Sequence, residues 1–263
     1  MILDAECKLV YQTAEPVAVI FMLRPRSGLA QWIFREEFLI SPEVPIVEYT
    51  DGYGNLCQRT IMPAGQFSVT VNYRVRVSDF IDVNLAAPLT PVEMLPADVI
   101  QFLLPSRYCQ SDKLSEQARS IVGTLPPDYS QALAIQNWIH REISYVPESS
   151  NASTSALESL ESRCGVCRDF AHLGVALCRA MSIPARMVVG FLLDLQPMDL
   201  HAWFEAFIGG RWYTFDATQA NFKGNRIVIA YGRDAADVAL ATIFGDFSLV
   251  TMNVAVRVAD PIS

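Results

Sequence analysis

The stretch from His201 to Thr218 constrains the fold most. HAWFEAFI (201–208) runs into Gly209-Gly210, and RWYTFDAT (211–218) follows. Two runs rich in aromatic and apolar residues, separated by a Gly-Gly pair, predict a β-hairpin with a two-residue turn. Glycine tolerates the positive φ that such turns demand. With the glycines at the turn, Trp203 faces Asp216 and His201 faces Thr218. His201 and Asp216 are then diagonal neighbours on one face, about 7–8 Å apart between backbones, within reach of an imidazole and a carboxylate. Glu205 shares that face and is the rival carboxylate. A solvated strand face is the plain alternative for all three.

The segments around this hairpin point to an α+β chain. Residues 1–83 read mainly as strands, with VAVIFMLRP (17–25), QWIFREEFLIS (31–41) and FSVTVNYRVRV (67–77) the clearest. The last alternates apolar and polar residues with the period of a half-buried strand. DGYGN (51–55) and PAG (63–65) supply turns. This is an antiparallel β-sandwich over 1–100. Proline-rich APLTPVEMLP (87–96) marks the boundary, and 101–263 forms a second domain.

That second domain opens with helices. One covers 128–145, capped by Asp128, with Ala134, Ile135, Trp138, Ile139 and Ile143 on one stripe. A short one opens at Ser155 with a capping-box pattern ending at Glu158. A third covers 165–186, with Phe170, Leu173, Leu177 and Met181 inward and Pro184 ending it. Strand-like runs follow at 186–195, 201–208, 211–218 and 226–231, and an alternating run at 249–258 closes the chain. Helices followed by strands indicate an antiparallel sheet.

Cys167 falls at the first turn of the third helix, where unpaired backbone N–H groups and the helix dipole favour a thiolate and could hold an oxyanion. Buried cysteines are common fillers, and Cys109 and Cys178 read that way. Of the three histidines, His140 reads as an ordinary partly exposed residue. His172 is five positions past Cys167, about 140° around the helix, and is a poor base for that thiol. His201, with Asp216 behind it, is the better partner. Cys164-Gly-Val-Cys167 also allows a redox dithiol, although nothing resembling a thioredoxin βαβ unit precedes it.

GVCRDFAHLGVALCRAMSIPARMVVGFL resembles the nucleophile helix of transglutaminase-like proteins. HAWFEAFIGGRWYTFDAT resembles their histidine and aspartate strands. The likeness covers roughly 106–260, and PRSG (25–28) and YGN (53–55) look like the β domain that precedes the core in bacterial members. It implies a papain-like core and a thiol acyl-transfer enzyme acting on a peptide or protein amide, with Cys167 as nucleophile, His201 as base and Asp216 as orienter. Hydrolysis and amine transfer both remain open. The chain reads Asp-Ala-Thr where many relatives have Asp-Pro-Thr. It also lacks the tryptophan that animal transglutaminases place before the nucleophile. Tyr145, Ser153, Thr154 and Ser155 are the substitutes. Trp203 either walls the substrate pocket or fills the core. GRDAADVA (232–239) also resembles the family, with a helix cap as its simplest meaning. A fold-retaining binding module without turnover is the competing reading.

Composition closes off other classes. Apolar residues make up 51% and charged residues 18% of the 263, which excludes wholesale disorder. A net charge of −8 disfavours a nucleic-acid footprint. No DxDxDG-type calcium loop, second CxxC or histidine cluster appears, so the expectation is a metal-independent protein without a cofactor. The absence of a signal-like or membrane-length apolar run, and six scattered cysteines, lead to an expected cytoplasmic location without a membrane partner.

Overall fold

A computed structural model describes residues 1–28, 31–221 and 223–260. The N-terminal region contributes six strands: β1 (Ile2–Thr13), β2 (Val17–Arg24), β3 (Gln31–Ser41), β4 (Val47–Thr50), β5 (Leu56–Met62) and β6 (Gly65–Val77). Leu3, Ala5, Cys7 and Leu9 of β1 point inward, as do Phe67, Val69, Val71, Tyr73 and Val75 of β6. That alternation is the period-2 pattern of strands with one buried face.

The helices are α1 (Ala97–Ile100), α2 (Ser115–Val122), α3 (Tyr129–Glu142), α4 (Ala156–Ser162) and α5 (Cys167–Ala180). Asp128 caps α3 by accepting the Ser130 N–H at 2.9 Å. α3 stops earlier than its pattern predicts. Ile143 is extended, and Ser144–Tyr145 becomes a short strand, β7, paired in parallel with β8 (Cys164–Gly165). Of the expected stripe, Ile135, Ile139 and Ile143 are buried, while Ala134 and Trp138 are half-buried.

Four strands form the second domain's sheet: β9 (Ala185–Leu192), β10 (His201–Ile208), β11 (Arg211–Phe215) and β12 (Arg226–Gly232), in the order β11-β10-β9-β12. The β10–β11 hairpin has the register the glycine turn predicts, with Phe204 opposite Phe215 and Glu205 opposite Thr214. Gly209 and Gly210 carry φ of +57° and +83°, as a primed turn requires. α5 packs closely on β10. A Cβ on Gly174 would lie 2.4 Å from the Phe204 ring. Phe204 is fully buried and stacks on Phe215 at 5.4 Å; burying such a ring contributes about 1.5–3 kcal/mol.

The chain then returns to the sandwich. β13 (Ala241–Phe244) pairs with β2, and β14 (Ser248–Val258) pairs with β1. The sandwich sheets therefore run β14-β1-β6-β3 and β13-β2-β5-β4. The expected division gave everything from 101 to 263 to the second domain. Residues 241–258 instead complete the first. Without them β1 and β2 would be open edges, with their N–H and C=O groups unpaired. One continuous set of buried apolar side chains runs through the sandwich, the helices and the second sheet.

Candidate active site

Local bonds explain where α5 begins. The Asp169 carboxylate, 1% exposed, accepts the Val166 N–H at 2.9 Å and pairs with Arg168 at 3.0 Å. Ser150 also donates its hydroxyl to Asp169. A Cβ on Gly165 would lie 2.7 Å from the Asp169 Cβ, so only glycine admits this anchor. Cys167 is the first helical residue and is partly exposed. Its own N–H is one of the four that a helix start leaves without an internal partner.

Tyr145 reaches the same point through the β7–β8 pair. Tyr145 stands opposite Gly165, and the Val146 N–H donates to the Gly165 carbonyl at 3.0 Å. The Tyr145 phenol comes close enough to Cys167 for the backbone and side chain of that residue to act on it. Burial first, and then the charge of Cys167, push the Tyr145 phenol upward. The extended Ile143 that ends α3 is therefore what brings this residue to the helix start.

His201, 3% exposed, donates from Nε2 to Asp216 Oδ2 at 2.7 Å. This leaves Nδ1 as the nitrogen for other partners, and Cys167 lies close enough to act on the imidazole. Burial alone would lower the imidazole's pKa. The charge and hydrogen bond of Asp216, with Cys167 adding to them, raise it to about 9. Asp216 is 4% exposed. Burial opposes its charge, but Arg226, His201 and Thr218 hold its carboxyl well below the usual range. The Arg226 Nη1 lies 2.8 Å from Asp216 Oδ2, and the Thr218 hydroxyl donates to Oδ1 at 2.7 Å. The Asp216 N–H donates to Gln136 of α3 at 3.0 Å.

Arg226 and Gln136 were not foreseen from the sequence. Gln136 lies on the buried face of α3, and Arg226 opens β12. Neither position carries a local signal, because their partner is set by tertiary packing.

The structure sorts the remaining candidates. Trp203 is 1% exposed, 6.0 Å from the His201 ring and 5.0 Å beneath the Arg226 guanidinium. It also lines a cavity of about 520 Å³ with Phe80, Arg186, Phe207 and Trp212. Glu205 is held by Arg186 at 2.6 Å. His172 is fully buried, stacked on Tyr108 and accepting the Ala235 N–H at 3.1 Å. His140 Nδ1 bonds the Ala217 carbonyl at 2.9 Å, beside the aspartate motif. Ser155 donates to Glu158 within its own cap, Ser153 donates to Asn151, and Thr154 accepts the Asn151 N–H. These three hydroxyls are committed to local turns, so Tyr145 is the remaining substitute. Cys164 is a partly exposed free thiol, and burial pushes Cys109 up to about 12 and Cys178 higher still. Among the described residues no group of three or more His, Cys, Asp or Glu side chains could hold a metal ion. No helix among them is long and apolar enough to cross a membrane.

A partly exposed thiol at a helix start, packed against an antiparallel sheet that presents a buried His–Asp pair, defines a papain-like α+β protein. Residues 115–217 match a family model described as the transglutaminase-like superfamily. A solved structure of a candidate cysteine protease from Cytophaga hutchinsonii is 40% identical. The match covers 100% of this chain and 92% of that one, with a TM-score of 0.92. An uncharacterized protein of Mycobacterium leprae is 26% identical over 255 residues, 90% of this chain and 89% of that protein. One of Mycobacterium bovis is 29% identical over 251 residues, 82% of this chain and 77% of that protein. The chain belongs to the transglutaminase-like superfamily, whose fold supports thiol-dependent acyl transfer.

Proposed function

We propose that this chain is a thiol-dependent amide hydrolase acting on peptide or protein substrates through Cys167, His201 and Asp216. The observation that carries the reading is the buried His201–Asp216 bond at 2.7 Å, with Cys167 close enough to raise the pKa of the same imidazole. The thiol passes its proton to His201 and attacks the amide carbonyl carbon. The tetrahedral oxyanion is received by the Cys167 N–H and the Tyr145 hydroxyl. His201 returns the proton to the departing amine nitrogen, leaving a thioester on Cys167. A water molecule, deprotonated by His201, attacks the thioester. The products are a carboxylic acid and the free thiol. Asp216 fixes the ring so that Nε2 carries a proton and Nδ1 faces the sulfur, and it stabilises the imidazolium.

Water as the acceptor is supported by the 40% identical relative described as a candidate cysteine protease. An amine acceptor would use the same side chains. The test is labelling with a thiol-reactive acyl probe, followed by turnover of peptide libraries with and without added amines. Labelling confined to Cys167, and loss of turnover in Cys167→Ala, are expected. Full turnover by Cys167→Ala on a confirmed substrate would overturn the assignment.

A further inference from the structure

β12 is the outermost strand of its sheet, bonded to β9 on one side only. Its other edge should present bare backbone groups. Two side-chain amides from the sandwich fill that edge. Gln31 donates to the Val228 carbonyl and accepts the Val228 N–H, both at 2.8 Å. Asn55 donates to the Tyr231 carbonyl at 2.9 Å and accepts the Tyr231 N–H at 3.1 Å. Each amide thus imitates a neighbouring strand residue. Both are buried, with Gln31 6% and Asn55 2% exposed. Gln31 is held in turn by the Arg26 carbonyl, and Asn55 by Asp51. The two bonded residues flank a register shift in β12, between Val228 and Ala230. Just ahead, the Asn225 N–H donates to the Ser78 carbonyl at the end of β6.

The next residue in the chain is Arg226, whose guanidinium lies against Asp216. We propose that the N-terminal sandwich is a brace for the catalytic pair: Gln31 and Asn55 clamp β12, and through it keep Arg226 against Asp216. Gln31 and Asn55 are then positioning residues, as is Arg226. The inference rests on the roles given to His201 and Asp216 above.

The brace has an electrostatic consequence. Asp216 Oδ2 is shared between the His201 ring and the Arg226 guanidinium. The cation partly neutralises the carboxylate, so it weakens the hold of Asp216 on the imidazolium. Among the described residues few other groups face the pair. They are Cys167 on α5, Thr218 after β11, and Gln136 and His140 on α3; Glu205 on β10 is occupied by Arg186. Asp199, in the loop before β10, acts on Tyr145. Loosening Arg226 leaves none of these to replace it as the cation on Asp216.

The test follows the His201 ring by NMR across pH, without substrate. Three histidines make the ring signals assignable by single substitutions. In Arg226→Met the His201 midpoint should rise by up to about one pH unit, and Arg226→Lys should restore most of the wild-type value. In Gln31→Met/Asn55→Leu the midpoint should move the same way by a smaller amount, together with the rate of Cys167 alkylation by iodoacetamide. If the double variant does not fold, Gln31→Met alone is measured. A folded Arg226→Met protein with an unmoved midpoint overturns the electrostatic link. A folded clamp variant that melts earlier but titrates as wild type makes the amides merely structural and overturns the brace. Because no substrate is present, the predicted shifts in a protein that turns over no amide would sink the hydrolase reading alone.

Discussion

Two buried histidines sit in this chain and titrate in opposite directions. His201 is raised to about 9, while burial, the largest influence, lowers His172 to about 4. Both are nearly free of solvent. The difference lies in what the nearest carboxylate does. Asp216 gives Oδ2 to the His201 ring itself. Asp234 raises the His172 value as well, but spends its oxygens on the Tyr108 and Ala236 backbone N–H groups, and Arg168 and Arg179 oppose it. Burial therefore decides the charge state of an imidazole only when no carboxylate is bonded to the ring. One histidine is arranged to carry a proton, and the other is a neutral acceptor that pins the 232–239 segment to α5.

Turning the first site into the second is the most severe way to break that contrast. In Asp216→Asn the ring keeps its burial and loses its carboxylate. Its midpoint should fall below the ordinary value of 6.5, toward that of His172. The same change should cut kcat/KM by roughly 10³–10⁴-fold, read by steady-state kinetics on the substrate found by profiling. A midpoint that stays near 9 would mean that Cys167, and not Asp216, sets the imidazole's charge.

The two rings should also shape stability against pH from opposite sides. His201 has its folded value above its unfolded value of 6.5. Its stabilisation is complete below 6.5 and is lost as pH rises through about 9. His172 has its folded value below 6.5. Its contribution is present above 6.5 and is lost as pH falls through about 4. Each arm amounts to roughly 3 kcal/mol. Urea unfolding from pH 4 to 10 should show the alkaline arm reduced in His201→Gln and the acid arm reduced in His172→Gln. An arm that persists in its own variant removes the contrast.

How much of this was readable in advance follows from how local each signal is. The His201–Asp216 pair lies within one hairpin, so the turn glycines and the strand period were enough to place the two residues together. Cys167 at a helix start was also legible from its own neighbours. Its meeting with His201 was not, because it depends on α5 packing against β10 through Gly174 and Phe204. Tyr145 illustrates a second limit. Its apolar stripe reads as helix, and only pairing with Cys164–Gly165 draws it into a strand. Arg226, Gln31 and Asn55 reveal nothing in isolation. Each acts on a residue far along the chain, where the partner is fixed by docking of the sandwich.

The purely structural role of His172 is sharpened by a milder substitution. His172→Phe keeps a flat ring against Tyr108 and removes the acceptor for the Ala235 N–H. Leaving that buried donor unpaired should cost about 1–3 kcal/mol, seen in denaturant unfolding, with kcat/KM unchanged. A large fall in kcat/KM in a folded His172→Phe protein would show that the 232–239 segment serves the reaction.

The smallest effect concerns the hydroxyl beside the thiol. Tyr145 is 53% exposed, so solvent already weakens any hydrogen bond it makes. A buried oxyanion donor is worth about 10²–10³ in kcat; a half-exposed one that shares the task with the Cys167 N–H should be worth about tenfold. Tyr145→Phe keeps the ring against Phe170 at 5.9 Å and removes only the oxygen. If the hydroxyl meets the oxyanion, kcat should fall about tenfold while KM and the His201 midpoint hold. If Tyr145 instead binds the ground-state substrate, KM should rise with kcat intact. An unchanged kcat and KM would leave the Cys167 N–H to stabilise the oxyanion without this phenol, and would remove Tyr145 from the site.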